Sequence, residues 1–355
     1  MARHVTAVAV SGPWSLATSR RFWEGFRPSA LADQEAGADQ KAGADQEAGA
    51  DQEAGADQKA GADQEAGTGQ EAGADQKAGT GQEGGTGQNP RADQGAPTGQ
   101  EDASLRTVFR VEADWSRAEA EVTQHADKTT VAVTGDGDLD AAAAQVGRFL
   151  ALDVDASDWP AVGRRDPVIA DAQRRLPGLR PCGFHSPYEA AAWAVLSQRL
   201  RIVQAARLRE DLIARFGDDG AFPSPQRLRV LDLDLPGRKA EYLAAVAEAA
   251  LDGELDGLAI RKLDPAEAVR RLTAIKGLGP FAAELTVLRG ANVPDALPSQ
   301  ERRLEAEVAE RYGPGHTLPE VSQAWRPFRT WAAVHLRALR ETRTAEISGK
   351  PAGKD

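Results

Sequence analysis

The stretch 264–312, DPAEAVRRLTAIKGLGPFAAELTVLRGANVPDALPSQERRLEAEVAERY, decides the reading of the chain. Asp264 is a natural N-cap, Pro265 suits the first helical turn, and Glu267 stands where it completes a capping box. Ala268, Leu272 and Ile275 recur at helical spacing until Lys276-Gly277-Leu278-Gly279 breaks the pattern. Pro280 restarts a helix that carries Phe281 through Leu288 and ends before Gly290. The pattern predicts a helix, a tight Gly-x-Gly hairpin and a second helix. An irregular segment, 291–298, then leads into Ser299-Gln300-Glu301 and a third helix, with Leu304 and Val308 four apart.

Such a hairpin has a physical use. Glycines without Cβ let the backbone come close to another molecule, and the amides opening the second helix have no intrahelical partner. With the positive end of the helix dipole, those N–H groups favour a phosphate oxygen. Lys276 adds a mobile cation beside them. Gly-x-Gly alone equally describes an ordinary helix–helix turn.

The residues beyond the hairpin separate these readings. Hairpin, helix, Leu288-Arg289-Gly290, loop, and an acid at the start of the next helix resembles the helix-hairpin-helix DNA glycosylase superfamily. The closest likeness is to its bacterial DNA-3-methyladenine glycosylase II branch. SPYEAAAWAVLSQRLRIVQAARL (186–208) resembles that branch's helix with its glutamine-bearing turn, and AWRPFRTWAAVHLRAL (324–339) resembles its closing helix. The resemblance covers 165–340, with a fainter trace before it. It implies a monofunctional enzyme that hydrolyses the N-glycosidic bond of alkylated purines, 3-methyladenine among them. The implied partner is duplex DNA with damaged bases, met by a monomer in the cytoplasm, at the nucleoid.

Releasing a base passes through an oxocarbenium-like state, which needs a carboxylate near the anomeric carbon and a pocket for the everted base. In the resembled family an aspartate supplies that carboxylate, in the pattern Pro-x-x-Asp. Here the pattern reads Pro298-Ser299-Gln300-Glu301, so the resemblance gives Glu301 the catalytic role with one methylene more. Gln300 cannot carry the charge, and Asp295 lies off the motif. An acid in a first helical turn is also favoured by the macrodipole alone. The alternative from another class is therefore a non-catalytic DNA-binding or lesion-sensing protein on the same fold.

Strand-cleaving branches of the superfamily place a lysine two residues after the second hairpin glycine. Phe281 stands there, so no Schiff base forms at that position. The iron–sulfur branches need four cysteine thiolates, and Cys182 is the only cysteine. The resemblance further implies a backbone grip by Lys276, Gly277, Leu278 and Gly279. Phe281 and Phe328 match family pocket positions, with Trp193, Trp325 and Trp331 on neighbouring helices; aromatic residues at helical spacing are also core formers. Electron-rich rings would favour a cationic alkylated purine. Gln198 and Arg199 stand where the family fills the gap left by the everted base. Arg201, Arg207, Arg302, Arg303 and Arg329 are candidates for phosphate contact, which would make affinity fall with salt. His185, His316 and His335 have no spacing that suggests a metal site. No cofactor is expected beyond a monovalent cation at hairpin carbonyls, which the family implies.

The acidic composition does not argue against a nucleic-acid partner once the charge is located. The 355 residues carry a formal charge of −11. Residues 32–103 are twelve six-residue units such as ADQEAG, with 16 acids and 4 bases, which leaves 38 acids against 39 bases in the remainder. The repeat has no apolar side chain larger than alanine, so it cannot offset ordering entropy and reads as a disordered insertion. Its flanks belong together. Residues 4–10, 105–111, 119–123 and 129–133 alternate like strands, and 15–26 and 138–150 read as helices. Phe22, Trp23 and Phe26 share one side of the first helix. The expected fold is thus a small α+β N-terminal domain (1–31 and 104–155) followed by a mainly α-helical helix-hairpin-helix domain (156–340) and a disordered tail (341–355). Helices are expected at 166–175, 187–199, 202–216, from Lys239 to Leu251, and over 319–339. No run approaches the ~18 apolar residues of a membrane helix. No secretory leader is apparent, and a lone cysteine forms no intramolecular disulfide.

Overall fold

Period-two alternation builds one antiparallel sheet from β1 (Ala2–Val8), β2 (Ala103–Arg110), β3 (Arg117–His125) and β4 (Lys128–Gly135), in the order β1-β4-β3-β2. The register of β1 runs from Ala2 opposite Gly135 to Val8 opposite Thr129, which consumes β4 and ends β1 before Val10. Leu105, Phe109, Ala120, Val122, Val131 and Val133 are buried with residues of α1 (Leu16–Phe26) and α2 (Leu139–Phe149). Asp138 caps α2 by accepting from the Ala141 amide at 2.9 Å. The structure, a computed structural model, describes residues 1–26 and 103–345. The repeat therefore lies outside the described residues, except that Ala103, its last residue, opens β2.

From Trp159 onward the chain is helical: α3 (Trp159–Arg165), α4 (Pro167–Arg175), α5 (Pro187–Ser197), α6 (Ile202–Phe216), α7 (Pro225–Leu228), α8 (Lys239–Leu251), α9 (Gly257–Arg261), α10 (Pro265–Leu272), α11 (Pro280–Leu285), α12 (Arg302–Tyr312), α13 (Leu318–Val321) and α14 (Arg329–Thr344). α14 runs through 341–344, so that part of the expected tail is helix; 346–355 lie outside the described residues. α5 is the axis of the body, buried from Pro187 to Leu196. It stops at Ser197, two residues before the expected end. Lys239 Nζ donates to the carbonyls of Val195 and Gln198, and Arg199 turns to a left-handed φ of 56°.

The sheet packs against part of the helical body. Leu179, Cys182, Val334 and Ala338 pack in the same cluster as the sheet. The buried Arg180 guanidinium donates to the carbonyls of Ser11, Pro13, Ala151 and Val154, which ties the N-terminal residues to the helical body. Among the described residues no helix is long and apolar enough to cross a membrane.

Candidate active site and hairpin

Asp264 caps α10, accepting from the amides of Ala266 and Glu267 at 2.9 and 3.2 Å. Glu267 does not close the capping box. Its carboxylate is held by Arg270 and Arg271 one turn on, where a full cationic partner outcompetes a backbone amide. The chain leaves α10 at Leu272 and turns through Ile275 to the hairpin. The two glycines have different jobs. Gly277 adopts φ +92°, and a Cβ there would meet the Tyr242 ring at 2.4 Å. Gly279 has an extended φ of −78°, and a Cβ there would meet nothing within 4 Å. Gly277 is required by the turn itself, whereas Gly279 keeps open the space in front of α11, where unpaired helical amides and the dipole favour an anion.

Side chains around the hairpin hold it in place. Gln198 Nε2 donates to the Gly277 carbonyl at 2.7 Å, so the glutamine expected in the gap is spent on the hairpin backbone. Arg199 beside it is exposed. Lys276 is half exposed and pairs with Glu241, which Arg238 also binds. The Gly277 carbonyl accepts the Gln198 amide with one of its two lone pairs, and the second stays available for the monovalent cation that the resemblance implies.

α11 continues as a π-helical turn, Thr286–Gly290, in place of the regular helix expected to Leu288. Thr286 Oγ1 donates to the Ala282 carbonyl, and the Arg289 carbonyl accepts from Phe184 N at 2.7 Å. Gly290 packs against α5 so closely that a Cβ would lie 2.7 Å from Pro187 Cα. Widened turns of this kind frequently mark functional sites. Leu288 and Arg289, carried by this one, reach a half-open cavity of about 180 Å³.

That cavity is the candidate active site. Its walls are Phe281, Glu284 and Leu285 from α11, Pro298 and Glu301 from the loop, Thr330, Ala333, Val334 and Arg337 from α14, and Phe22 and Phe26 from α1. The Phe281 ring is 50% exposed, unusual for so large an apolar side chain, and it follows the hairpin by two residues. Glu301 is the N-cap of α12: Oε1 accepts from Arg303 N at 3.2 Å and lies 3.8 Å from Arg337 Nε. The second distance is an ion-pair contact and too long for a hydrogen bond. The carboxylate is held in place without being sealed off, with its side chain 31% exposed.

The other expected residues are placed elsewhere. Phe328 does not line this cavity. It is 3% exposed and packs against Trp159 and Trp331 with ring centroids 5.7 and 5.1 Å away, because the residue preceding α14 points into the core. Trp193 does not line it either. It faces Ala205, Ala206 and Leu285 on an all-round buried helix, one layer behind the wall. Trp325 and Trp331 are core residues, and Trp325 Nε1 donates to Asp166 at 2.9 Å. Asp295 is bound by the Arg329 side chain and amide, so Arg329 is committed inside the protein and not to phosphate. Arg201, Arg207, Arg302 and Arg303 are exposed. His335 is buried beneath Trp159 with its titration pushed down to about 4 by burial. Among the described residues no group of His, Cys, Asp and Glu is arranged to hold a metal ion. The aromatic wall residues missed by sequence reasoning are Phe22 and Phe26; their shared helical face was visible, but not what it faced.

Hairpin, exposed ring, and a loop acid capping the next helix, in this order on a helical body with a small sheet, match what the resemblance to helix-hairpin-helix DNA glycosylases leads one to expect. No family model matches the chain. It is 26% identical over 204 residues to the DNA-3-methyladenine glycosylase of Bacillus subtilis, covering 52% of this chain and 67% of the relative. It is 31% identical over 177 residues to DNA-3-methyladenine glycosylase 2 of Escherichia coli, covering 45% of this chain and 60% of that one. The solved 3-methyladenine DNA-glycosylase of Archaeoglobus fulgidus shares the fold, with a TM-score of 0.55, 20% identity, 69% of this chain and 89% of that one covered. These relatives are DNA-3-methyladenine glycosylases, and the chain is similar to the DNA-3-methyladenine glycosylase II branch of that superfamily.

Proposed function

We infer that this protein is a monofunctional DNA glycosylase that hydrolyses the N-glycosidic bond of alkylated purines, of the 3-methyladenine type, in duplex DNA. One observation carries the reading: the Glu301 carboxylate and the exposed Phe281 ring line the same cavity, two residues from the open side of a Gly-x-Gly hairpin. The names of the relatives in Bacillus subtilis and Escherichia coli agree with it.

Each part has a task. Gly279 and the amides beyond it take a backbone phosphate, with Lys276 exchanging Glu241 for the DNA. Exposed Arg199 lies beside the hairpin, where it can enter the duplex or bind its opposite strand. The everted base enters between Phe281, Phe22 and Phe26. Three phenylalanines offer a weaker cation preference than tryptophan would, so shape and burial contribute more to selection. Glu301 faces the sugar and stabilises the positive charge that grows on it as the bond to the base breaks. Water then adds to the anomeric carbon, since Phe281 stands where a Schiff-base lysine would be. Its place of work is the cytoplasmic nucleoid, where duplex DNA lies.

The test is release of free base from duplexes carrying a panel of alkylated purines, followed by chromatography. Release by the wild-type protein and its loss in Glu301→Gln, with duplex binding retained, supports the reading. Intact binding with no release of any base at high enzyme concentration refutes it, and leaves a protein that only holds DNA.

A further inference from the structure

We propose that Glu284 is a positioning residue for catalysis: a buried carboxylate brace that fixes the loop carrying Glu301 to the helix carrying Phe281. The inference rests on the proposed function and adds a residue that neither the motif nor the pocket chemistry requires. Glu284 is 7% exposed. Acids so deeply buried are rare unless their oxygens are satisfied. Both oxygens are engaged by the loop: Oε1 accepts from Ser299 N at 2.8 Å and Ser299 Oγ at 2.7 Å, and Oε2 accepts from Gln300 N at 3.0 Å. Hydrogen bonds to a carboxylate are short and strong compared with neutral ones. Ser299 and Gln300 are themselves exposed and immediately precede Glu301.

The spacing gives the brace its meaning. Glu284 follows Phe281 by three positions, on the same face of α11, and α11 begins at the hairpin. One rigid turn of helix therefore connects the phosphate grip, the pocket ring and the clamp on the acid's loop. The height of Glu301 above the base pocket is set from the DNA-binding element and not from its own helix alone. With both oxygens used in this way, Glu284 is unavailable as the second acid of the cavity, although it lines the wall.

The test compares Glu284→Gln, Glu284→Ala and Ser299→Ala. Glu284→Gln keeps an oxygen for Ser299 but sets an amide N–H against the Gln300 N–H, and Glu284→Ala removes all three bonds. Misplacement of a reacting group by about 1 Å costs about 100-fold in rate. Single-turnover base release is expected to fall about 10-fold in Ser299→Ala and Glu284→Gln and about 100-fold in Glu284→Ala. Affinity for a duplex with a non-cleavable abasic analogue should stay within about threefold of wild type. A merely structural glutamate would lower melting temperature and leave the rate per folded molecule unchanged; that result overturns the proposal. Hydrogen exchange at the amides of Ser299 and Gln300 reads the brace without any chemistry. Faster exchange in the variants supports it, and unchanged exchange overturns it. If the wild type releases no base, the proposed function fails, while the exchange data still decide whether the clamp exists.

Discussion

Glu301→Gln removes one unit of charge with almost no change of shape. The amide oxygen can still accept from Arg303 N, so the cap on α12 and the course of the loop are kept. The magnitude comes from the surroundings. A unit charge about 4 Å from a developing sugar cation is worth about 4 kcal/mol at an effective dielectric of about 20. The side chain is 31% exposed and Arg337 Nε lies 3.8 Å from Oε1, so water and the guanidinium share the field. Halving the figure gives about 2 kcal/mol, roughly 30-fold in rate. The assay is single-turnover base release with enzyme in excess over alkylated duplex, which isolates the chemical step from product release. Duplex affinity, measured by anisotropy, should be unchanged. Glu301→Asp should be slow as well, because the loop is built around the longer side chain and retraction by one methylene is about the ~1 Å displacement that costs ~100-fold. If Glu301→Gln retains more than half of the wild-type rate, the carboxylate is not what stabilises the sugar, and the assignment built on its position is wrong.

The two hairpin glycines should respond in opposite ways. Gly277→Ala forces φ +92° on an L-residue and drives a Cβ to 2.4 Å from Tyr242, so it should lose about 2–4 kcal/mol in urea unfolding. Gly279→Ala meets open space and should unfold like wild type, yet bind duplex DNA about 10-fold more weakly, as a methyl group enters the phosphate's approach. Phe281→Ala should change stability by less than about 1 kcal/mol because the ring is already half exposed, while base release falls roughly 5- to 30-fold. His335 supplies a pH test. Its pKa is depressed from 6.5 to about 4, so the unfolded chain binds the proton first as pH falls. The stabilisation is full above pH 6.5 and is lost between 6.5 and 4, by about 3 kcal/mol. Wild type should therefore lose that much relative to His335→Gln in denaturant titrations across this window. A flat difference would mean that the imidazole is not excluded from water.

Much of this protein is written locally. Asp264 and Pro265 start α10, glycine at 277 is needed for a positive φ, and alternation at 105–111 and 129–133 marks strands, because each depends on interactions within a few residues. Even the acid at the head of α12 is visible in this way. Periodicity shows that a face is apolar but not what covers it, and there the sequence stopped. Phe328 and Trp193 went to the core, while Phe22 and Phe26, more than 250 positions before Phe281, became its facing wall. The same holds for charge. Asp295 was captured by Arg329, Gln198 by the hairpin carbonyl, and Glu284 by the loop fifteen residues on. Such pairings are set by which surfaces the chain brings within 3 Å of each other, a property of the packed whole, and only the tertiary structure decided them.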